Sequence, residues 1–165
     1  MSPRTSEPQS MSSGPQPREL RSALQNVAIL AGLDESAIAF LAARLIESPA
    51  APGAVIVREG EAGNRFFFVG EGTVRVCKHF GQSHEVELTR LKKGDFFGEM
   101  CILETLPRCA TVQAMTDTVV FSLTSLAFYH FYEAMPSQYG ILLLNIARDL
   151  SRRLRHLDEE FAAKH

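Results

Sequence analysis

The sequence lacks the patterns that identify most enzymes, metal sites and membrane proteins. It has no Walker-type Gly-x4-Gly-Lys, HExxH, GxSxG or GxGxxG motif. Its five histidines are scattered without the spacing of metal ligands. No apolar run approaches the roughly 18–20 residues that span a bilayer, and the N-terminus shows no cationic and then apolar signal pattern. We therefore expect a cytoplasmic protein that is not an enzyme and binds no metal.

Excess charge and paired cysteines are also missing. With 17 Lys+Arg against 19 Asp+Glu, the formal net charge is −2, which argues against nucleic acid or an anionic membrane as a partner held by bulk positive charge. The three cysteines form no CxxC pair, which is typical of reduced thiols. What remains is a chain of 165 residues, 45% hydrophobic, which is enough for one folded domain.

The N-terminal part divides into a tail and two short helices. Residues 1–18 are rich in Ser, Pro, Gln and Gly, and they predict a disordered tail because they hold too little apolar surface to offset the entropy of ordering. The predicted domain covers residues 19–165. Apolar residues at helical spacing predict a helix over residues 19–31, and Asp34 predicts the N-cap of a second helix over residues 35–46.

The middle of the chain has the pattern of an antiparallel β protein. Short β-branched or aromatic segments alternate with turn signals at roughly 8–12-residue intervals, which favours a sandwich or barrel over a parallel sheet. The predicted core spans about residues 50–123. Its candidate strands are residues 54–59, 66–71, 73–78, 85–91, 95–98, 109–115 and 119–123.

Two further helices are predicted over about residues 124–162. Thr124 or Ser125 can cap the first, and Ser137 can cap a long second helix that runs to about Phe161. The long helix carries a heptad stripe, which either packs on the β core or zips to a second copy of the chain. We expect the first two stripe residues to pack inward and the rest to protrude, which makes a homodimer possible. The stripe comprises Leu143, Ala147, Leu150, Leu154, Leu157 and Phe161.

Residues 94–112, GDFFGEMCILETLPRCATV, hold the candidate binding chemistry. If residues 99–103 form a helical turn after Gly98, its free N–H groups and positive dipole end make a seat for an anion, and Gly98 permits close approach to the backbone. Arg108 can grip a phosphate with two donors, and an ionised Glu99 can accept from a sugar hydroxyl. Taken separately, each side chain is more often an ordinary surface residue, but their spacing predicts a pocket for a sugar phosphate.

This segment resembles the phosphate-binding cassette of cyclic nucleotide-binding domains. The resemblance covers about residues 28–157. It implies a mainly β domain with flanking helices (α+β): an antiparallel β-roll or jelly roll with N-terminal helices, a short phosphate-cassette helix and a long C-terminal lid helix. The residues that carry it are Phe97-Gly98-Glu99-Met100-Cys101-Ile102-Leu103 and Pro107-Arg108-Cys109-Ala110-Thr111-Val112, with Pro52-Gly53, Ile56, Glu59, Gly60 and residues 67–76 upstream.

The resemblance also implies a role for each matching residue. Arg108 would pair with the cyclic phosphate, helped by backbone N–H groups near Cys109 and Ala110. Glu99 would accept from the ribose 2′-hydroxyl beside the backbone of Gly98. The other implied ligand-binding residues of the roll and cassette are Val76, Thr89, Leu91, Met100 and Cys101. The final helix would cover the base, with Asn145, Arg148 and Arg152 as candidate contacts.

The choice of base depends on the residue that follows the cassette arginine. In the family that the chain resembles, a Thr at this position favours guanine through its hydroxyl. Here the position is Cys109, whose thiol is a weak hydrogen-bonding group. The resemblance therefore implies cAMP as the ligand, with cGMP as the second candidate.

Three interpretations of the output stay open. The first is a stand-alone receptor that passes its signal to an unidentified protein partner through the last helix or the N-terminal tail. The second is a regulatory domain of a larger transcription regulator, kinase or channel. The third is a β-roll that binds no ligand and serves as a scaffold, which the presence of Glu99 and Arg108 argues against. Because no helix-turn-helix follows before His165, we expect no direct DNA binding.

Overall fold

The structure is a computed structural model that describes residue 24 and residues 27–100 and 106–163. The predicted tail, much of the helix predicted over residues 19–31, and Cys101 lie outside these residues. Most of the predicted cassette turn lies outside them as well. Within the part that is described, no helix is long and apolar enough to cross a membrane.

The described strands form two four-stranded antiparallel sheets that face each other. One sheet has the order β1-β8-β3-β6 and the other the order β2-β7-β4-β5. This arrangement confirms the predicted antiparallel roll. The strands are β1 (Ile46–Ala50), β2 (Val55–Val57), β3 (Arg65–Glu71), β4 (Thr73–Lys78), β5 (Val86–Lys92), β6 (Phe96–Phe97), β7 (Thr111–Ala114) and β8 (Thr118–Thr124).

Helices flank the roll on the outer face of the first sheet. A 3-10 turn at Ala28–Leu30 precedes α1 (Glu35–Ala42), and α2 (Ser125–Ala134) and α3 (Pro136–Ala163) follow β8. Two of the predicted caps are confirmed. Asp34 accepts a hydrogen bond from the Ala37 N–H at 2.8 Å, and Thr124 accepts one from the Ala127 N–H at 3.1 Å.

The run of three phenylalanines in β3 explains how one strand serves two cores. Side chains on successive strand residues point to opposite faces. Phe66 and Phe68 accordingly pack against the helices, with Leu123, Phe131 and other residues. Phe67 and Val69 pack between the two sheets instead, in the smaller cluster with Val74, Leu91, Phe97 and Val112. A strand that is apolar on both faces is therefore required here.

The strand β1 was not predicted, and its presence corrects the predicted end of α1. Residues 35–46 were expected to be helical, but α1 ends at Ala42 and Ile46 already pairs with Ser122 of β8. Pro49 lies inside β1. Proline is tolerated there because β1 is an edge strand of its sheet.

Three helical predictions need correction. Residues 28–30 form a 3-10 turn rather than the end of an α-helix, and Gly32 follows it with a φ of +82°. Pro136 is the first residue of α3, so Ser137 is not its cap; proline suits this position because it has no N–H to leave unsatisfied. On α3 the residues buried against the roll are Leu142 and Ile146, whereas Ala147 is exposed.

Candidate functional site

A concave pocket of about 250 Å³ opens beside the cassette segment. Its walls come from the second sheet, from the end of β6, from the described parts of the cassette and from α3. We call it the cassette pocket. The roll and the cassette supply Val57, Val76, Leu88, Thr89, Leu91, Phe97, Gly98, Glu99, Met100, Arg108, Cys109, Ala110 and Val112, and α3 supplies Arg153.

The predicted site residues mostly meet in this pocket. Nine of them line it: Val76, Thr89, Leu91, Gly98, Glu99, Met100, Arg108, Cys109 and Ala110. Arg148 and Arg152 do not line it and are exposed on α3. Cys101 lies outside the described residues. The rest of the apolar wall, Val57, Leu88, Phe97 and Val112, was not predicted to bind the ligand, although all four residues lie in segments that had been assigned to strands.

Arg108 lines the pocket and is buried, with 8% of its surface exposed. Its guanidinium donates to the backbone carbonyl oxygens of Gly98 at 3.3 Å and Arg65 at 2.9 Å. Its own backbone is pinned to the turn after β2, because its N–H donates to the Glu61 carbonyl and its carbonyl accepts from the Gly60 N–H, both at 2.8 Å. A buried guanidinium held in this way is a preorganised donor for an anion.

Two glycines make room for the Arg108 side chain. A Cβ at Gly63 would overlap the Nε atom of Arg108, and a Cβ at Gly98 would lie 2.7 Å from its Nη1 atom. Gly98 also has a φ of +82°, a conformation that side-chain-bearing residues rarely adopt. Gly98 was predicted to let a ligand approach the backbone closely. In the structure, the Arg108 side chain also requires a glycine at this position.

Glu99 is buried beside Arg108, with 7% of its surface exposed. Burial raises the pKa of its carboxyl above the ordinary value of 4.5 because desolvation disfavours the charged form. The positive charges of Arg153 and Arg108 oppose that rise, and the negative charge of Asp149 adds to it. A buried carboxyl at this point can accept from a hydroxyl group of a ligand once it is ionised.

Arg153 is the functional candidate that the sequence did not predict. Its Nε atom lies 2.7 Å from the Asp149 carboxylate, its Nη2 atom donates to the Phe96 carbonyl at 3.1 Å, and its guanidinium lies 4.5 Å from the Phe96 ring centroid. The steps from Leu142 to Ile146, Asp149 and Arg153 are four, three and four residues, so all four share one helix face. This four-three-four spacing could have identified the helix face that meets the pocket. The predicted heptad stripe, which begins at Leu143, lies one residue further along the helix.

Three other polar residues of α3, Asn145, Arg148 and Arg152, make different contacts from those of Arg153. Asn145 donates from Nδ2 to the carbonyl oxygens of Ile29 at 2.9 Å and Ala31 at 2.7 Å, so it fastens the 3-10 turn to the helix. Arg148 donates to the Asn145 side chain, and Arg152 forms an ion pair with Asp149. In this structure all three side chains are engaged away from the cassette pocket.

The family model for the cyclic nucleotide-binding domain matches residues 48–135, which is more than half of the chain. The chain belongs to the cyclic nucleotide-binding domain family. The match spans β2 to β8 and the cassette, so it includes Glu99 and Arg108.

Curated relatives of this cyclic nucleotide-binding domain include regulatory and channel proteins. It is 37% identical over 105 residues to a cAMP-dependent protein kinase regulatory subunit of Debaryomyces hansenii, covering 64% of this chain and 22% of the relative. It is 45% identical over 76 residues to a cyclic nucleotide-gated potassium channel of Rhizobium etli, covering 46% of this chain and 20% of the relative. The chain thus spans about a fifth of the length of these relatives.

Solved structures share the fold. The regulatory domain of Toxoplasma gondii PKA with cAMP matches at a TM-score of 0.69 and 31% identity, over 80% of this chain and 50% of that one. A cyclic nucleotide-binding domain from Methylobacillus flagellatus matches at a TM-score of 0.77 and 19% identity, over 88% of this chain and 85% of that one. The second likeness concerns the fold alone.

The two described cysteines differ in exposure. Cys77 is buried, its Sγ lies 3.7 Å from the Thr111 carbonyl oxygen, and burial raises the pKa of its thiol. It therefore behaves as a small core residue and not as a reactive thiolate. Cys109 is exposed and lines the cassette pocket of the domain. A thiol at this position can contact a ligand.

Proposed function

We propose that this domain is a receptor for a cyclic mononucleotide, with cAMP preferred over cGMP, and that it is not an enzyme. The observation that carries the proposal is that a buried guanidinium, Arg108, and a buried carboxyl, Glu99, line one largely apolar pocket together with Arg153. An apolar pocket with a few convergent polar groups suits a small molecule with a polar end and an apolar body. A cyclic nucleotide has a phosphate and ribose at one end and a flat base at the other.

The proposed pose assigns each end of the nucleotide to one part of the pocket. Arg108 holds the cyclic phosphate, together with backbone N–H groups at Cys109 and Ala110. Glu99 accepts from the ribose 2′-hydroxyl beside Gly98. The base lies along the wall formed by Val76, Thr89 and Leu91.

Two features support cAMP over cGMP. Cys109 supplies only a weak hydrogen-bonding group where a Thr hydroxyl would favour guanine. Several of the curated relatives are named as cAMP-dependent protein kinase regulatory subunits, including one that is 33% identical over 134 residues. One is named as a cGMP-dependent protein kinase, which keeps cGMP as the second candidate.

We propose that α3 transmits the signal to a protein partner. Arg153 joins α3 to the backbone at Phe96 and lies beside the Glu99 carboxyl, so a ligand in the cassette pocket meets the helix directly. A ligand shifts a conformational equilibrium only through different affinity for the two states. Contacts between Arg153 and the nucleotide that replace those with Phe96 would supply that difference.

The second half of α3 supports a homodimer as the form in which the domain works. Leu154 is 60% exposed and Leu157 is 54% exposed, and they lie on the predicted heptad stripe. Leu154→Glu should give a monomer by light scattering, whereas Leu126→Glu, also at an exposed leucine, should not. A wild-type chain that is monomeric with and without cAMP would exclude the dimer.

Calorimetry with cAMP, cGMP and cyclic di-GMP tests the receptor function. We expect tight binding of cAMP, weaker binding of cGMP and none of the dinucleotide. Arg108→Ala should cost about 2–5 kcal/mol, the range for a charged contact in a desolvated site, or roughly 30-fold to several-thousand-fold in Kd. Arg108→Lys keeps the charge and should retain part of the affinity. Binding of none of the three ligands would favour the scaffold interpretation, and unchanged affinity in Arg108→Ala would exclude the phosphate assignment.

A further inference from the structure

A second cavity opens on the side of the roll where both sheets end in edge strands. It lies between β1 and β2 and has a volume of about 430 Å³, so it is larger than the cassette pocket. We call it the edge pocket and define it by Ser48, Pro49, Ala54, Ile56, Arg65 and Phe67. None of the described residues that line it also lines the cassette pocket.

The two cavities lie back to back across the start of β3. The carbonyl oxygen of Arg65 accepts from Arg108, which faces the cassette pocket, while the side chain of Arg65 lines the edge pocket. The ring of Phe67 lines the edge pocket and stacks on Phe97, which lines the cassette pocket, at a centroid distance of 4.9 Å. A ligand in one cavity is therefore separated from the other by a wall of protein.

Arg65 gives the edge pocket its chemical character. Phe67 and Val69, the alternate residues of the same strand, face the space between the sheets, so the Arg65 side chain faces inward as well. It is half-buried, and among the residues described around the pocket it is the one charged side chain. Its Nη1 atom lies 3.3 Å from the Ser122 hydroxyl, and no described carboxylate forms an ion pair with it.

A half-buried cation without an anionic partner is unfavourable, because burying a charge costs free energy unless the charge is paired. The rest of the pocket is built from Phe67 and from proline, alanine and branched aliphatic side chains, with one serine hydroxyl. These side chains accept a hydrocarbon or aromatic body, and Ser48 and Arg65 are the described lining residues whose side chains carry hydrogen-bonding groups. One planar guanidinium matches one planar carboxylate through two parallel hydrogen bonds.

We propose that the edge pocket binds a small carboxylate with an apolar body, of the size and class of a medium-chain fatty acid. The carboxylate lies on the Arg65 guanidinium, and the hydrocarbon lies along Pro49, Ala54 and Ile56. This site does not depend on the cassette pocket or on the nucleotide assigned to it.

Titration of the full chain with octanoate, followed by amide NMR without nucleotide, tests the proposal. We expect saturable shifts at Ala50, Ala54 and Val55, and at least roughly tenfold weaker binding of 1-octanol, which has the same tail without the charge. Acetate, which has the charge without the tail, should not bind. Octanoate shifts centred on the cassette pocket or on α3, or no saturation up to about millimolar concentration, would overturn the proposal.

Two substitutions change residues on opposite walls of the edge pocket. Arg65→Gln removes the charge and keeps the backbone carbonyl that Arg108 uses, while Ala54→Leu fills the pocket and keeps Arg65. Each should weaken octanoate binding roughly tenfold or more. If Arg65→Gln fails to fold, Ala54→Leu alone decides, and unchanged affinity in either folded variant contradicts the site. The octanoate titration contains no nucleotide, so it tests the edge pocket separately from the proposed function. A chain that binds octanoate but not cAMP would refute the proposed function and leave the edge pocket supported.

Discussion

The Nη2 atom of Arg108 donates to the carbonyl oxygen of Arg65 at 2.9 Å, so backbone atoms of β3 position the guanidinium that we assign to the phosphate. The Gly98 carbonyl holds the same guanidinium from the other side at 3.3 Å. The Arg65 carbonyl belongs to the first residue of β3, and the Gly98 carbonyl lies directly after β6. The cassette arginine is thus preorganised, and its position should be sensitive to small changes in the backbone that surrounds it.

Gly98→Ala tests that sensitivity. A Cβ there would lie 2.7 Å from Nη1 of Arg108 and 3.0 Å from the Arg65 carbonyl oxygen, so the guanidinium must move. We expect cAMP affinity to fall more than about tenfold, as for loss of a charged hydrogen bond worth about 1.5–3 kcal/mol. Calorimetry gives the affinity, and thermal unfolding gives the stability.

Gly81→Ala is the matched control for the backbone strain. Gly81 has a φ of +75°, close to the +82° of Gly98, but a Cβ there would meet nothing within 4 Å. The left-handed conformation should cost each variant about 1–2 kcal/mol of stability, and Gly98→Ala should lose more because its Cβ also meets Arg108 and Arg65. Only Gly98→Ala should lose affinity. Equal affinities in the two variants would show that contact with Arg108 is not what Gly98 provides.

Glu99→Gln should make the protein more stable at neutral pH. The folded protein raises the pKa of Glu99 above 4.5, so the fold favours the protonated carboxyl. The resulting penalty is absent below about pH 4.5, grows as the pH rises from there to the raised pKa, and is then constant. Chemical unfolding at several pH values should show a stabilisation by Glu99→Gln that disappears in acid.

Glu59→Gln provides a control of opposite sign. The hydrogen bond from Lys78 Nζ, 2.7 Å from Oε1 of Glu59, lowers the pKa of that carboxyl. Its stabilising contribution is present above pH 4.5 and is lost as the pH falls through the lowered pKa. Glu59→Gln should therefore destabilise at neutral pH. A stabilisation by Glu99→Gln that did not change between neutral and acid pH would contradict the assigned cause.

The roll could be predicted from the sequence because its signals are local. The predicted strand over residues 73–78 matches β4 at both ends, and the helix predicted to begin at a Thr124 or Ser125 cap matches the start of α2. Alternating or doubly apolar segments bounded by turn residues specify strands without reference to the rest of the chain. The cassette residues Gly98, Glu99 and Arg108 were found for the same reason, since their spacing lies within one short segment.

The misplaced elements depend on distant partners. Ile46 was predicted as the end of a helix, and it becomes part of a strand because β8 pairs with β1. The face of α3 is likewise chosen by the roll. Two apolar stripes fit the helix, and the one through Leu142 and Ile146 is buried because the cluster around Phe66 accepts it. That choice turns Arg153, and not Arg148 or Arg152, toward the pocket.

Cys109→Thr should shift the base preference toward guanine. It replaces a weak hydrogen-bonding thiol at the edge of the cassette pocket with a hydroxyl. One added hydrogen bond is worth about 1 kcal/mol, so the ratio of cGMP to cAMP affinity should rise roughly fivefold. Competition binding with both nucleotides measures the ratio. Cys109→Val, which adds bulk without a donor, should leave the ratio unchanged, and an equal rise in both variants would exclude the hydrogen bond as its cause.

Arg153→Ala should loosen α3 and weaken cAMP binding, whereas Arg152→Ala should do neither. Both arginines pair with Asp149 and both substitutions remove one positive charge, but only Arg153 lines the cassette pocket and donates to the Phe96 carbonyl. Loss of a charged hydrogen bond of about 1.5–3 kcal/mol should speed amide hydrogen exchange in the second half of α3 at least roughly tenfold. Measuring exchange with and without cAMP separates the two roles. If cAMP slows exchange there in wild type and in Arg152→Ala but not in Arg153→Ala, Arg153 is the residue through which α3 senses the ligand; equal protection in all three proteins would place that contact elsewhere on the helix.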